Sequence, residues 1–184
     1  MIFFCIVCVG LLVSGCLCVF LALEDAEEPQ AVPEATPEPP PPQPVEVWAR
    51  YDVPLDDDLQ RYIGELCKSY EVPVSVVMAV IGVESSYNPD DITDGADYGL
   101  MQIRATEHTD RCIRLGAWNL LDPRANVRVG IDYLSELLAC GNGIEWALSW
   151  YNGHGGEPCE YAYKVLTEAE RLMDCVQIVL KDDV

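Results

Sequence analysis

The stretch Pro73-Val-Ser-Val-Val-Met-Ala-Val-Ile-Gly-Val-Glu84-Ser-Ser-Tyr-Asn-Pro89, followed by turn residues and then by Tyr98-Gly-Leu-Met-Gln-Ile103, decides how the rest of the chain is read. Its first half is rich in β-branched residues, and on propensity alone it reads as a buried strand. Twelve residues is too long for an ordinary strand, however. Val76, Val77, Val80, Ile81 and Glu84 recur at steps of three and four, and Pro73 suits a first helical position. The spacing therefore predicts a largely buried helix, in which packing outweighs a few tenths of a kcal/mol of unfavourable propensity per residue. Glu84 is then expected at the end of a core helix, half out of water. Desolvation there raises a carboxyl pKa, as a general acid working near neutral pH requires.

Outward from this helix, the chain reads as one compact domain over 48–184, nearly 140 residues and long enough for a single core. Asp56, Asp57 or Asp58 can cap a helix that carries Leu59, Ile63, Leu66 and Tyr70 on one face. Turn residues fill Asn88 to Asp97, and a further helix is expected from about Ala105 to Leu115. Asp122-Pro123 reads as an N-cap followed by a first-turn proline. The helix it starts turns Val127, Ile131, Leu134 and Leu138 inward and ends at Gly141. Ile144 to Asn152 forms a short apolar helix broken by Gly153, Gly155 and Gly156. Pro158 opens a last one with Tyr161, Val165, Leu172 and Val176 on a face. No alternating strand pattern is visible, so the expected class is all-α.

Two further segments precede the domain. Residues 1–23 are apolar from Ile2 to Leu23, long enough to cross a bilayer core of about 30 Å at roughly 1.5 Å per residue. An uncleaved transmembrane anchor is the leading expectation. Val13-Ser-Gly-Cys16 also resembles a lipoprotein lipobox, and a cleaved signal segment is the third alternative. All three place the remainder on the outer side of the membrane. Residues 24–47 are acidic and proline-dense, with Pro39 to Pro42 at their centre and almost nothing to bury. They read as a disordered linker in extended polyproline form, a semi-rigid stalk whose 20-odd residues reach on the order of 60 Å.

The chain of 184 residues has 11 basic and 31 acidic side chains, a net charge of −20. Seven of the acids lie before Arg50 and no Lys or Arg does, so the balance from Arg50 onward is still −13. That balance argues against nucleic acid, whose phosphates demand a basic face. His108 and His154 are far apart in sequence, so no zinc spacing is present, and no cofactor is expected. Of nine cysteines, Cys67, Cys112, Cys140, Cys159 and Cys175 fall in the domain. Five cannot all pair within one chain, and one or two disulfides are compatible with an oxidising compartment.

Three segments combine an apolar wall, amides and one poised acid, as a sugar site needs: Glu84-Ser-Ser-Tyr-Asn-Pro89, Tyr98-Gly-Leu-Met-Gln-Ile103 and Trp150-Tyr-Asn-Gly153. In this order they resemble the soluble lytic transglycosylase family. Its members carry Glu-Ser followed by Asn-Pro, then Gly-Leu-Met-Gln, then Tyr-Asn and a small residue. Asn119 to Pro123 with Asn126, Gly130 and Tyr133-Leu134 is similar to the family's middle helix, and Glu157 through Tyr161 to Lys164-Val165 to its terminal Tyr segment. Trp150 stands where the family has a small residue.

The resemblance implies a lysozyme-like all-α domain that acts on peptidoglycan glycan strands. It implies that Glu84 is the sole acid and then base in non-hydrolytic cleavage between N-acetylmuramic acid and N-acetylglucosamine, leaving 1,6-anhydromuramoyl ends. Tyr151 is then expected to position the acid or the substrate's acetamido group, with Ser85, Met101, Gln102, Asn152 and Tyr161 lining the cleft. Two alternatives stay open. One is hydrolysis of the goose-type lysozyme kind, with Asp94 or Asp97 activating water. The other is a non-catalytic glycan-binding module.

Overall fold

A computed structural model describes residues 47–180 apart from Gly95. The expected anchor, nearly all of the proline-rich linker and the last four residues lie outside the described residues. Among the described residues no helix is long and apolar enough to cross a membrane. In chain order the elements are β1 (Val47–Arg50), α1 (Asp57–Tyr70), α2 (Val74–Ser85), β2 (Ile92–Thr93), β3 (Asp97–Tyr98) and β4 (Ile103–Arg104). Then come α3 (Thr109–Leu115), α4 (Pro123–Ala139), α5 (Ile144–Tyr151), α6 (Glu160–Asp174) and β5 (Gln177–Leu180).

The class is mostly helical, and the all-α expectation is corrected by two small antiparallel sheets. One pairs β1 with β5, Val47 opposite Leu180; the other orders β2-β3-β4. The first joins segments about 130 residues apart, and the second is made of two-residue strands, too short for any alternation to show.

Helix α2 is the core of the molecule. Val76 through Ile81 are all buried, so the helix has no solvated face and no amphipathic stripe. Fully burying side chains of this size contributes roughly 1.5–3 kcal/mol each, against a few tenths lost to β-branching. Pro73 precedes the helix as its N-cap and is not its first turn. Other helix signals act where they were read. Asp56 accepts from the Leu59 N–H at 2.7 Å and Asp122 from the Ala125 N–H at 2.7 Å, with Pro123 next in line. Two helices begin later than read from sequence. Residues 105–108 form turns before α3, and α6 starts at Glu160 behind its N-cap Cys159.

Buried polar groups tie these elements into one frame. The Gln60 amide accepts from the Tyr51 N–H at 2.9 Å and donates to the Tyr51 and Leu55 carbonyls, fixing β1 and the loop after it on α1. Asn126, fully buried on α4, accepts from the Met101 N–H at 2.8 Å and donates to the carbonyls of Tyr98 at 2.6 Å and Leu120 at 2.8 Å. One side chain thus holds the whole turn between β3 and β4. Gly99 belongs to that turn at φ 70°, and a Cβ there would lie 2.5 Å from the Leu120 carbonyl oxygen. No other residue fits so close a backbone approach. All five cysteines of the domain are free thiols.

Candidate active site

Glu84 lies in the last turn of α2, half-buried, where the helix is stopped abruptly. Ser86 and Tyr87 follow it with φ of 51° and 65°, two successive left-handed residues without a glycine. Such a conformation costs on the order of 1–3 kcal/mol per residue and persists only where packing enforces it. Ser85 supplies part of that enforcement. Its buried hydroxyl lies 2.9 Å from the Leu100 carbonyl and 3.1 Å from the Ile81 carbonyl, pinning the end of α2 to the β3–β4 turn.

The Glu84 side chain opens into a cleft of about 360 Å³ that is also lined by Asp97, Gln102, Tyr133, Tyr151 and Asn152. At its inner side, the Tyr161 hydroxyl of α6 donates to Glu84 Oε1 at 2.6 Å. Burial pushes the Glu84 pKa above the ordinary carboxylate value. The Tyr161 hydrogen bond works against that shift, the nearby charge of Asp97 adds to it, and the charge of Lys164 opposes it. Burial, followed by the negative charge of Glu84, drives the Tyr161 and Tyr151 phenols well above their usual range, so both remain donors. This arrangement holds a protonatable oxygen at the edge of a solvent-accessible cleft, with the proton retained to higher pH than in water.

The site residues expected from sequence fall into three groups. Glu84, Gln102, Tyr151 and Asn152 border the cleft, and Tyr161 touches it through Glu84. Tyr151, expected to position the acid or the substrate's acetamido group, donates to the Met101 carbonyl at 2.9 Å. Ser85 and Met101 have buried side chains; Met101 packs its thioether against Gly130 of α4. Gln102, at φ 45°, uses its amide nitrogen on the Gly99 carbonyl at 2.9 Å and the Asp91 carbonyl at 3.3 Å. Its Oε1 is buried without a partner, an acceptor left over in the cleft wall.

Asp97 lines the cleft, but Arg104 grips both its oxygens at 2.7 and 2.6 Å. Asp94 is exposed and does not line the cleft. Arg104, His108, Tyr133 and Trp150 border the cleft and were not singled out as site residues. His108 and Tyr133 form a tilted ring contact with centroids 4.5 Å apart, and Tyr133 and Tyr151 another at 5.3 Å, with the Arg111 guanidinium 5.2 Å from the Tyr133 ring centre. Arg111 is held in turn by buried Asp132 and by Glu136. The sequence signal for Tyr133 was present, one residue before Leu134 on the inward face of α4. Among the described residues, no group of three or more His, Cys, Asp or Glu side chains is placed to hold a metal ion.

Comparison with known proteins follows the same segments. The model of the transglycosylase SLT domain matches residues 61–164. Two curated relatives are the membrane-bound lytic murein transglycosylase C of Cronobacter sakazakii and that of Sodalis glossinidius. Each is 32% identical over 95 residues, covering 45% of this chain and 26% of the relative. The chain thus matches about a quarter of the length of these relatives. Among solved structures, an inactive glutamate-to-glutamine mutant of the lytic transglycosylase Slt from Pseudomonas aeruginosa superposes with a TM-score of 0.56 at 20% identity. That match covers 62% of this chain and 24% of the other, and it is a likeness of fold.

Proposed function

The chain belongs to the transglycosylase SLT domain family, and on that premise we propose that it cleaves the β-1,4 bond between N-acetylmuramic acid and N-acetylglucosamine in peptidoglycan without consuming water. The observation that carries this reading is the setting of Glu84. It shares the cleft with Asp97 and Glu107, but it is the carboxyl that accepts from the Tyr161 hydroxyl, and burial raises its pKa, while Asp97 is ion-paired with Arg104.

With one working carboxyl, the reaction runs in two proton transfers. Glu84, protonated, gives its proton to the glycosidic oxygen as the bond to the muramoyl C1 breaks. The positive charge at C1 is met by the carbonyl of the substrate's own acetamido group, so a second protein carboxylate is not needed. Glu84, now ionised, takes the proton of the muramoyl 6-hydroxyl as that oxygen bonds to C1. The products are a 1,6-anhydro end and a free 4-hydroxyl, and the acid is restored. Low-polarity surroundings favour the first step because the neutral acid is the stable form, and the Tyr161 hydrogen bond favours the second because it stabilises the carboxylate. Gln102, Tyr133, Tyr151 and Asn152 give the cleft the amide and aromatic lining that a glycan strand suits.

Hydrolysis of the goose-type lysozyme kind has one observation in its favour, the presence of Asp97 in the same cleft. Arg104 donates to both oxygens of Asp97, and an ion-paired carboxylate is a weaker base toward water. Digestion of purified sacculi followed by mass spectrometry separates the readings. Anhydromuramoyl ends from wild type and none from Glu84→Gln are expected; reducing ends as the main product reject the lyase. If neither protein clears a sacculus suspension, the enzyme reading gives way to a glycan-binding module. The relatives are membrane-bound by name, and the apolar segment of residues 1–23 accords with a domain tethered to the cytoplasmic membrane and facing the wall.

A further inference from the structure

The last turn of α5 sends two aromatic side chains to the cleft in different ways. Tyr151 is directed inward, its hydroxyl on the Met101 carbonyl and its ring against Tyr133. Trp150, about 100° back around the helix, lines the same cleft but keeps 42% of its surface in solvent. Of the large hydrophobic side chains left exposed among the described residues, it alone borders the cleft. Exposed apolar surface is where binding gains from expelling water, and a ligand lying in the cleft passes beside it.

The ring is held in place by the protein itself. Trp146, one turn earlier on α5, meets it with ring centroids 5.7 Å apart and planes tilted by 53°. The glycine-rich loop after α5 packs on both indoles. Its Gly153 N–H donates to the Trp150 carbonyl at 2.9 Å and its His154 N–H to the Ser149 carbonyl at 2.8 Å, tying the loop back to the helix. Gly156, at φ 81°, then lies so close that a Cβ would stand 2.7 Å from Trp150 Nε1 and collide with Trp146 Nε1 as well. Only glycine permits that approach. With backbone on its nitrogen edge and a second indole beside it, Trp150 has few rotamers to lose, so contact with its open surface costs little entropy.

We propose that Trp150 is a sugar-stacking residue, whose indole seats a pyranose ring of the glycan strand at the margin of the cleft, away from the bond that Glu84 protonates. A pyranose of a β-1,4 strand shows a face of C–H bonds, slightly positive, that suits the negative face of an aromatic ring, while its hydroxyls stay in water. Trp150 pairs with Trp146, whereas Tyr133 and Tyr151 pair with each other, and it is Tyr151 that feels the charge of Glu84. That separation sets the seated ring apart from the reacting atoms. The inference rests on the glycan-cleaving reading of the cleft, and it adds the residue that grips the strand at a distance from the chemistry.

The test is binding of glycan strands, stripped of peptide by an amidase, to the full chain carrying Glu84→Gln, so that nothing is turned over. Two added changes separate a flat ring from mere bulk. Trp150→Phe keeps a ring and is expected to hold affinity within about threefold, whereas Trp150→Leu keeps apolar volume without a flat face and is expected to lose about tenfold. Circular dichroism and melting temperature check that both variants are folded. In the otherwise wild-type chain, Trp150→Leu is expected to raise KM far more than it lowers kcat, because the seated ring is not the one being cleaved. Equal losses in the two variants, no loss in Trp150→Leu, a fall in kcat alone, or no binding by the parent overturns the inference. Anhydromuramoyl ends from wild type, with binding indifferent to the ring at Trp150, reject the platform and keep the enzyme. Ring-dependent binding without new glycan ends from wild type keeps the platform and rejects the enzyme.

Discussion

The Tyr151 hydroxyl donates to the Met101 carbonyl at 2.9 Å, while the Tyr161 hydroxyl takes the position on Glu84 at 2.6 Å. The two tyrosines of one cleft thus hold different things: one the backbone of its wall, the other the acid. Their phenylalanine variants separate these roles. Tyr161→Phe removes a donor that favours the carboxylate, so the alkaline limb of kcat/KM moves to higher pH, and loss of positioning lowers the rate roughly 10- to 100-fold. Tyr151→Phe leaves the limb where it is and costs about 1–2 kcal/mol of stability from the orphaned carbonyl. A pH–rate profile and thermal denaturation of both variants distinguish them; a limb displaced by Tyr151→Phe contradicts the assignment.

Asp97 raises the Glu84 pKa through its charge, although Arg104 holds it. Asp97→Asn is therefore expected to move the alkaline limb to lower pH while the products keep their anhydromuramoyl ends. A complete loss of activity, with the fold intact by circular dichroism, makes Asp97 a base and revives hydrolysis.

Glu84 also has a stability signature. Its pKa is raised in the folded state, so the folded protein holds the proton more tightly than the unfolded chain. The favourable contribution is full below the unfolded pKa and is lost as pH rises through the folded value. Above the folded value, the ionised and desolvated Glu84 weakens the fold. Glu84→Gln cannot ionise, and the amide oxygen can still accept from Tyr161. Its melting temperature should exceed that of wild type by roughly 2–4 °C at alkaline pH, with the gap closing on acidification toward the ordinary carboxylate range. A gap that widens on acidification reverses the sign and refutes the pKa direction.

The β3–β4 turn depends on Asn126 and Gly99. Asn126→Ala leaves the buried Met101 N–H and the Tyr98 and Leu120 carbonyls without that amide, which costs about 3 kcal/mol or more. Gly99→Ala combines a left-handed φ with a Cβ driven into Leu120 and Asn126, and a comparable loss is expected. Urea denaturation measures both. A loss under about 1 kcal/mol in either shows that the turn can rearrange.

What could be read in advance divides along physical lines. The caps at Asp56 and Asp122 and the helical spacing of Val76 to Glu84 are local, and local chemistry sets them. The α2 helix was legible despite its β-branched composition because length and period outweigh propensity. The β1–β5 pair was not, since its register depends on two four-residue segments meeting across the whole domain. The residues that motif order singled out, Glu84, Gln102, Tyr151 and Asn152, lie along one cleft, and Tyr161 contacts Glu84. Which phenol reaches the acid depends on how α5 and α6 pack on α2, and spacing along one helix carries no such information. Arg104 escaped notice because its meaning lies in its grip on Asp97 across a two-residue ladder.

The pairing of Val47 with Leu180 brings the entrance and the exit of the domain to one spot. A short bridge between them would close the fold into a ring, and a cut at the exposed Gly141-Asn142-Gly143 turn would then yield a rearranged chain with the same groove. The same closure makes the module portable: it can be set within a loop of a host protein as readily as at the tip of a stalk.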